Sequence, residues 1–252
     1  MNVEYLRWIH YPESKMASPT AVNFPSDSTT QLLPFWIAQA KSDHDLELAA
    51  KARQVAYGKH LPEFGDRLAT PDQDDRHSDS AVLLAYSKLD GSCIGTVRIQ
   101  IAGQQSIRLE ESFALPSALR TGRIAEISRL AIPSRSNGLA LRLMLIKAAY
   151  WYCRANHVDR SFICVRYPVD RQYRRFDLDD VLPNAEFIPM QHIGMIPHRI
   201  FWFDVFKIEE RWLLSANPLH SVYFASSHPD LLDNIQSRTL LQETQGRLRS
   251  HG

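Results

Sequence analysis

Residues 126–140 read EISRLAIPSRSNGLA, and this stretch decides how the chain folds. Its first half has the composition of a β-strand, although it carries the charged residues Glu126 and Arg129. Its second half contains a proline, small polar residues and a glycine, which are typical of a turn. The next segment, LALRLMLIKAAYWYCRA from Leu139, is apolar on most of its faces and predicts a buried helix. The sequence therefore indicates a strand, a turn and a helix, with polar groups beside a core.

Alternating strands and helices are predicted on both sides of this unit. Residues 42–60 predict a helix, because Ser42 and Asp45 have the spacing of a capping box. The dipeptide Asp90-Gly91 favours a tight turn between two runs of strand-forming residues, so a hairpin is expected there. The predicted strands lie at residues 32–40, on both arms of the hairpin within 81–101, and at 123–132, 161–167 and 199–206.

These elements divide the chain into three parts. Residues 1–31 are rich in Pro, Ser and Thr and predict an N-terminal arm or extension. Residues 32–206 carry the alternating strands and helices. Residues 207–252 predict a C-terminal extension of one or two helices or a short strand, which ends in a polar tail.

The composition is that of an ordinary globular protein able to form a core, with 252 residues of which 44% are hydrophobic and 23% charged. Its 29 basic and 28 acidic residues give a formal net charge of +1, so no overall field favours nucleic acid or a membrane surface. No stretch approaches the roughly 18 consecutive apolar residues of a membrane-spanning helix. We therefore expect no nucleic-acid partner, and a chain that is neither secreted nor membrane-spanning.

The cysteines favour a cytoplasmic protein. Cys93, Cys153 and Cys164 are odd in number and lie in apolar segments, and none has a Cys or His neighbour at metal-ligand spacing. We expect reduced, buried thiols and no metal site.

Two interpretations fit the turn RSNGLA at residues 135–140. Backbone N–H groups at the start of a helix favour a phosphate group, Gly138 lets a ligand approach the backbone, and Arg135 adds a positive charge. The alternative is a plain turn, in which Asn137 and Gly138 form the bend and Ser136 or Asn137 caps the helix.

The spacing of Glu126 and Arg129 also has two interpretations. Residues three apart in a regular strand point to opposite faces, so one of the two would face solvent. A β-bulge would shift this alternation and turn both side chains toward one cleft, and bulges are common beside active sites. The simpler alternative is a structural ion pair, for instance with Arg53 or Arg98.

The order of the elements and three motifs resemble the GNAT superfamily of N-acyltransferases, in the branch of the FeeM-type N-acyl amino acid synthases and LuxI-type autoinducer synthases. RSNGLA fits the superfamily's acyl-donor loop of Gln or Arg, two residues, Gly, one residue, and Gly or Ala. EISRLAI resembles the branch's acid-x-Ser-Arg strand. ARQVAYGKH and DDRHSDSAVLLAY resemble its helix with Arg and Tyr and its segment with Asp and Ser. The resemblance covers residues 32–206 and implies an α/β (α+β) fold of three layers, with a central mixed, mostly antiparallel twisted sheet flanked by helices.

The resemblance implies direct attack of an amine on an acyl thioester. Glu126 would take the proton from the amine, and Arg129 would hold Glu126 or bind the carboxylate of the acceptor. A backbone N–H freed by the bulge would bind the thioester oxygen. Tyr173 would protonate the departing thiolate, and the alternative for this residue is a packing role.

The same resemblance places the acyl donor at the end of the strand and in the turn that follows. No cofactor would be tightly bound, and the co-substrate would be acyl coenzyme A or the phosphopantetheine-linked acyl group of acyl carrier protein. Apolar side chains of the neighbouring strands would line an acyl channel. The predicted donor contacts are Leu130, Ala131, Ile132, Arg135, Ser136, Asn137, Gly138, Leu139 and Ala140.

An acceptor pocket is predicted from the first helix and the segment before the hairpin. Arg53 and Tyr57 are four residues apart and share one face of the helix, while Asp75 and Ser78 would open the following strand. Arg98 is placed with them as a substrate-binding residue. A surface position is the alternative for Asp75. The acidic spacing is one residue shorter than in the branch, which leaves open the roles of Asp72, Asp74 and Asp75.

Three functions remain open from the sequence. The first is an N-acyl amino acid synthase that takes a long-chain acyl group from acyl carrier protein. The second is an autoinducer synthase making acyl-homoserine lactones from S-adenosylmethionine, against which the C-terminal segment and the altered acidic segment count. The third is a non-catalytic ligand-binding or interaction protein on a degenerate fold of this type.

An acidic carrier protein is the expected macromolecular partner, because arginines cluster around the predicted donor entrance. A basic patch attracts an acidic protein over long range and speeds their encounter. The alternative is a solvated helix face. The arginines of this cluster are Arg135, Arg142, Arg171, Arg174 and Arg175.

Overall fold

A twisted sheet forms the centre of the protein in its computed structural model, which describes residues 29–133, 138–233, 235–236 and 239–243. The strands are β1 (Thr29–Thr30), β2 (Phe35–Gln39), β3 (Ser80–Ser87), β4 (Cys93–Ile101), β5 (Ile124–Ala131), β6 (Arg160–Arg166), β7 (Asp179–Asp180), β8 (Phe187–Met190), β9 (Ile196–Asp204) and β10 (Ser226–Ser227). The α-helices are α1 (Asp43–Gly58), α2 (Pro62–Arg67), α3 (Gly138–Ala155), α4 (Asp170–Tyr173) and α5 (Ile208–Leu214). The strands and helices predicted within the central part of the chain are confirmed.

The large sheet is mixed and mostly antiparallel. Its strand order is β2-β3-β4-β5-β6-β9-β7, and β8 also pairs with β9. Only the β5–β6 pair is parallel among the pairings of this sheet in the described residues. Helix α3 makes the crossover between these two parallel strands, as a parallel connection requires. The predicted sheet is therefore confirmed.

Helices cover both faces of the sheet. Because strand side chains alternate, Val82 and Leu84 of β3 pack against Leu46 of α1. The intervening Leu83 belongs to the main core together with Leu145 of α3. The sheet is thus the middle of three layers, with α1 on one side and α3 on the other.

Two local predictions are confirmed in atomic detail. Helix α1 begins at the predicted capping box, in which the Asp45 N–H donates to Ser42 Oγ and the Ser42 N–H donates to Asp45 Oδ2, at 3.2 and 3.0 Å. The hairpin turns at Gly91, whose φ of +71° lies in the left-handed region that favours glycine.

A β-bulge interrupts β5 at Arg129. Thr96 of β4 pairs with Ala131, and Arg98 pairs with Ser128. These pairs are three residues apart on β5 but only two apart on β4, so β5 contains one extra residue. The extra residue bends the strand, and Arg129 has a φ of +55°, which is uncommon for a residue with a side chain. The predicted bulge is confirmed, but it does not bring both side chains into one cleft, because Arg129 lines the cavity described below and Glu126 does not.

Strands β5 and β6 separate beyond their first few residues. Their pairing runs from Ile124 with Arg160 to Ile127 with Ile163. Both strands continue further, to Ala131 and Arg166. The unpaired halves open a gap in the middle of the sheet, and the bulge lies at one edge of this gap.

The C-terminal segment, which we define as residues 207–233, packs against α3. It contains α5, a π-helical turn at Ser221–Ala225, and β10, which pairs in parallel with β1. The Lys147 ammonium, on α3, donates to the carbonyl oxygens of Val222 and Ser226 at 2.8 and 2.7 Å. The segment is therefore fixed to the helix that follows the gap in the sheet.

Some expectations are wrong or lie outside the described residues. Asp75 and Ser78 do not open a strand, because the capping acid Asp72 starts a 3-10 helix at Gln73–Arg76 and the strand begins only at Ser80. Residues 1–28 of the predicted arm, and the end of the polar tail from residue 244, lie outside the described residues. No described helix is both long enough and apolar enough to cross a membrane.

Candidate active site

A cavity of about 570 Å³ occupies the gap between β5 and β6, and we call it the cleft. It is lined by Ala56, Tyr57, Lys59, His60, Leu61, Ile127, Ser128, Arg129, Leu130, Ala131, Ile132, Pro133, Gly138, Leu139, Arg142, Ile146, Ile163, Cys164, Val165, Arg166, Val169, Gln172, Tyr173 and His198. Neighbouring residues of β6 point to opposite faces, so Ile163 and Val165 reach it from the α3 side and Cys164 from the α1 side. Groups on both faces of the sheet therefore meet in one space.

Most of the predicted donor contacts in the described residues line this cleft. They are Leu130, Ala131, Ile132, Gly138 and Leu139. Ala140 is exposed and is not among the lining residues, whereas Arg135, Ser136 and Asn137 lie outside the described residues. Apart from its chain neighbours and its own helix, no heavy atom of the described residues lies within 4 Å of the position that a Cβ on Gly138 would take, so these residues leave space beside the glycine.

Tyr173 lines the cleft from the turn after β6. Its ring stacks on Phe201 with centroids 6.2 Å apart, which fixes its position. Burial raises the pKa of Tyr173 to about 12, although the Arg142 charge opposes the shift. The phenol therefore keeps its proton at neutral pH and can donate it.

Glu126 is enclosed behind the cleft, with 1% of its side chain exposed. The Leu109 N–H donates to its Oε2 at 2.7 Å, and its Oε1 lies 3.6 Å from Nε2 of His192. Burial alone would raise the pKa of Glu126, but His192, the Leu109 N–H and the Arg98 charge outweigh it and lower the pKa. The carboxylate is thus ionised, and it is not among the residues that line the cleft.

Arg129 lines the cleft at the bulge, and 9% of its side chain is exposed. Its contacts are long: Nη2 lies 3.7 Å from Asp72 and 3.5 Å from the His192 carbonyl oxygen. Its guanidinium carbon also lies 5.5 Å from the ring centroid of Phe64. Burial and the Arg98 charge lower the pKa of Arg129. Arg129 and Glu126 therefore do not form an ion pair with each other, because the contacts of Arg129 go to Asp72, His192 and Phe64.

An ion-pair cluster of Arg53, Asp72, Asp74, Asp75 and Arg98 lies on the same side of the sheet as Glu126. Arg53 Nη1 lies 2.7 Å from Asp75 Oδ2, and Arg98 Nη1 lies 2.7 Å from Asp72 Oδ1. Both arginines are at most 1% exposed. Their partners are these aspartates, so the alternative ion pairs of Glu126 with either arginine are not formed.

The predicted acceptor residues are therefore separated. Arg53, Asp75 and Arg98 belong to the ion-pair cluster, and Ser78 lies in an exposed turn. Of the five predicted residues, Tyr57 lines the cleft, where its hydroxyl donates to the Leu130 carbonyl oxygen at 3.3 Å. A direct contact between substrate and the other four stays a prediction.

A family profile matches residues 58–184, half of the chain, and its description is N-acyl amino acid synthase FeeM. The chain belongs to the FeeM family of N-acyl amino acid synthases. It is therefore an N-acyltransferase, which transfers an acyl group from a thioester to an amine. The matched residues include Glu126, Arg129 and Tyr173. No curated protein matches the chain.

Solved structures agree with this family assignment at the level of the fold. The structure of FeeM from uncultured soil microbes is 14% identical with a TM-score of 0.58, and the match covers 72% of this chain and 97% of that one. The coenzyme A-dependent acyl-homoserine lactone synthase BjaI, solved with S-adenosylmethionine and isopentyl coenzyme A, is 16% identical with a TM-score of 0.52. That match covers 82% of this chain and 99% of BjaI. The predicted GNAT-like fold is confirmed.

Two histidines that sequence reasoning missed lie at the site of this FeeM family member. His192, in a 3-10 turn, has 4% of its side chain exposed, and neither ring nitrogen has a hydrogen-bond partner in the part of the chain that the structure describes. His198, on β9, lines the cleft, and its Nδ1 donates to the Ile196 carbonyl oxygen at 2.8 Å. Burial lowers the pKa of His198, so the ring is neutral at pH 7 and Nε2 carries a lone pair.

Cys164 also lines the cleft, but it is unsuited to forming an acyl-enzyme. Burial and the negative charge of Glu126 raise the pKa of this thiol well above its ordinary value. A thiol in this state is a poor nucleophile, since the thiolate is the reactive form. The observation favours direct attack of the amine on the thioester.

One arginine of the predicted cluster lies in the wall of the cleft. Arg142 lines the cleft and donates to the side chain of Gln172. Arg171, Arg174 and Arg175 are exposed on α4 and the turn after it. Arg171 lies over the ring of Tyr167, with 5.0 Å between the guanidinium carbon and the ring centroid. Arg135 lies outside the described residues.

Proposed function

We propose that this N-acyltransferase moves a long-chain acyl group from a thioester of acyl carrier protein or coenzyme A to the amino group of an amino acid. The observation that carries the proposal is the cleft itself, which extends from the start of α3 to Arg129 across the gap between β5 and β6, with the buried acid Glu126 behind it. A donor entering at α3 and an acceptor entering on the α1 side would meet there.

The donor phosphate would bind at the start of α3. The dipole of this helix and the backbone N–H groups of its first turn favour anions, and the described residues leave space beside Gly138 for a close approach. From there the pantetheine arm would run along the unpaired half of β5 to the bulge. A backbone N–H at the bulge would stabilise the oxygen of the thioester as negative charge develops on it.

Arg129 is proposed to bind the carboxylate of the acceptor. It is a cation that lines the cleft, and its nearest carboxylate lies 3.7 Å away, longer than a good charge-assisted hydrogen bond. Its Nε has no hydrogen-bond partner within residues 29–133 and the other described ranges. An amino acid would supply the missing planar acceptor for the guanidinium and would leave its amino group near the bulge.

The chemistry forms one bond and breaks one. The nitrogen lone pair of the amine attacks the carbonyl carbon, the C–S bond breaks, and an amide and a thiolate result. Glu126 is the proposed final acceptor of the proton from the amine. Because Glu126 does not line the cleft, the proton would reach it indirectly, and His192, whose Nε2 lies 3.6 Å from Glu126 Oε1, is the group proposed to pass it on. The Tyr173 hydroxyl would protonate the thiolate.

Acyl carrier protein is the proposed donor carrier, with coenzyme A as the alternative. The exposed arginines Arg171, Arg174 and Arg175 offer positive charge at one end of the cleft, in a chain whose net charge is only +1. This local patch would suit the acidic surface of a carrier protein.

Mass spectrometry of lipid extracts from cells that express the protein tests the proposal, with cells that express Glu126→Gln as the control. The account expects N-acylated amino acids in the wild-type extract alone, and the mass shows acyl chain and head group together. Acyl-homoserine lactones in place of acyl amino acids would assign the chain to autoinducer synthesis. No acylated amine in either extract would favour a binding protein.

A further inference from the structure

A second, small cavity of about 20 Å³ lies beside the cleft, between α3, the sheet and the C-terminal segment, and we call it the side cavity. Helix α3 contributes Ile146 and Tyr150 to its lining. The C-terminal segment contributes Ile208, Trp212, Tyr223 and Phe224.

The side cavity adjoins the cleft directly. Ile146, Ile163 and Tyr173 line both spaces, so they form the partition between them. A hydrocarbon chain that lies in the cleft along the α3 side of β6 would contact this partition with its far end. Small rotations of the two apolar side chains would join the spaces into one channel.

The lining of the side cavity presents only hydrocarbon. Three of its four polar side chains bond to backbone carbonyl oxygens: Tyr150 donates to Val205 at 3.2 Å, Trp212 to Phe176 at 2.8 Å, and Tyr223 to Leu143 at 2.9 Å. The fourth, Tyr173, is shared with the cleft. An apolar cavity whose polar groups are satisfied elsewhere excludes water and favours a hydrocarbon ligand.

The outer wall of the side cavity is held firmly in place. Lys147, which is fully buried on α3, donates to the carbonyl oxygens of Val222 and Ser226, on both sides of Tyr223 and Phe224. Its Nζ also lies 2.9 Å from Nδ1 of His228. A wall fixed at these points sets a definite end to the channel. This wall also lies outside residues 58–184, which the family profile matches.

We propose that the side cavity receives the methyl end of the acyl chain, and that the C-terminal segment sets the longest chain that the enzyme accepts. The inference rests on the proposed function, since it assumes an acyl thioester in the cleft. Each carbon that enters an apolar channel tightens binding about fourfold, until the chain meets the wall. Affinity should therefore rise with chain length and then stop rising.

Equilibrium binding of saturated S-acyl phosphopantetheines of increasing chain length, without any amine, tests the inference. This probe is the part shared by both candidate donors. Phe224→Ala enlarges the side cavity and should move the limit upward by roughly two to four carbons. Ile208→Phe fills the cavity and should move the limit downward. Leu219→Ala is the matched control, because Leu219 is buried in the same segment but does not line the cavity.

Each outcome decides between the inference and the proposed function. The inference is supported if the chain-length limit moves upward in Phe224→Ala, downward in Ile208→Phe, and stays unchanged in Leu219→Ala. This result would support it even if no amine is acylated. An identical limit in all four proteins overturns it, even if acylated amino acids form. If acyl phosphopantetheines of every length fail to bind to the wild type, both ideas are wrong. Circular dichroism checks that each variant is folded.

Discussion

Glu126 Oε1 lies 3.6 Å from Nε2 of His192, and both side chains are at least 96% enclosed. A carboxylate and an imidazole at this distance can share a proton after a small movement. Among the described residues, neither nitrogen of the imidazole has a hydrogen-bond partner, and Glu126 Oε1 has none either. Buried polar groups usually have partners, so this pair is a place where a proton, a water molecule or a substrate group is expected to be received.

The first prediction concerns Glu126. Replacement by Gln keeps the shape of the side chain and the Leu109 hydrogen bond but removes the negative charge. We expect acyl transfer to fall by about 10² or more, the usual scale of a lost general base. Steady-state kinetics with a saturating donor measures this, and full turnover in the variant would make Glu126 a structural residue.

A second prediction follows from the lowered pKa of Glu126. The Glu126 carboxylate binds a proton less readily in the folded state than in the unfolded state, where its pKa is near the ordinary value of a glutamate. The ionised carboxylate therefore adds stability above about pH 4.5, and this stability is lost as the pH falls through the lower folded pKa. Urea unfolding between neutral and acidic pH should show a smaller loss of stability in Glu126→Gln than in the wild type. Equal losses in the two proteins would contradict the direction of the shift.

The third prediction tests the start of α3. Gly138→Val places a branched side chain in the open space above the glycine, where the donor is proposed to approach the backbone. We expect a higher donor KM with little change in acceptor KM. Ala140→Val is the matched control, since Ala140 is exposed on the same helix and does not line the cleft. A donor KM that rises equally in both variants, or in neither, would refute the loop assignment.

The fourth prediction separates acceptor binding from donor binding. Arg129→Gln removes the charge proposed to bind the acceptor carboxylate. Loss of a charge-assisted hydrogen bond costs about 1.5–3 kcal/mol, so acceptor KM should rise about 10- to 100-fold while donor KM stays near the wild-type value. Arg129→Lys should recover part of the loss, because it restores charge without the planar fork. A rise in donor KM alone would place Arg129 at the thioester.

The fifth prediction concerns the carrier. Charge reversal at Arg171 and Arg174, both exposed near the cleft, should slow transfer from acyl carrier protein far more than transfer from acyl coenzyme A. The wild-type reaction with the carrier should also weaken with salt, since the screening length is about 8 Å at physiological ionic strength. Measuring kcat/KM for both donors at low and high salt checks this. Equal losses for both donors, or no salt dependence with the carrier, would leave these arginines as a solvated helix face.

Local signals in the sequence predicted the local parts of the structure. The capping box at Ser42 and Asp45 and the Asp90-Gly91 turn depend on residues a few positions apart, and both are confirmed. The bulge at Arg129 could be foreseen as one of two alternatives, because a strand with polar residues three apart must either expose one of them or bend.

The rest of the site depends on contacts between distant parts of the chain. His192 meets Glu126 across 66 positions, and His198 reaches the cleft only because β9 pairs with β6. A single histidine looks the same in sequence whether it packs or catalyses. The ion pair of Arg98 with Asp72 also joins distant parts of the chain. It holds Arg98 in an enclosed cluster, whereas the sequence favoured a role for this arginine in binding substrate.

Incubation of the purified protein with an acyl thioester and amino acids labelled with ¹⁵N tests the central claim most directly. Mass spectrometry would measure the labelled amide, and a thiol reagent would measure the released carrier or coenzyme A. The account predicts that N-acyl amino acid and free thiol form in equal amounts. Thiol released without labelled amide, at the same rate with and without amino acid, would show thioester hydrolysis and contradict the account.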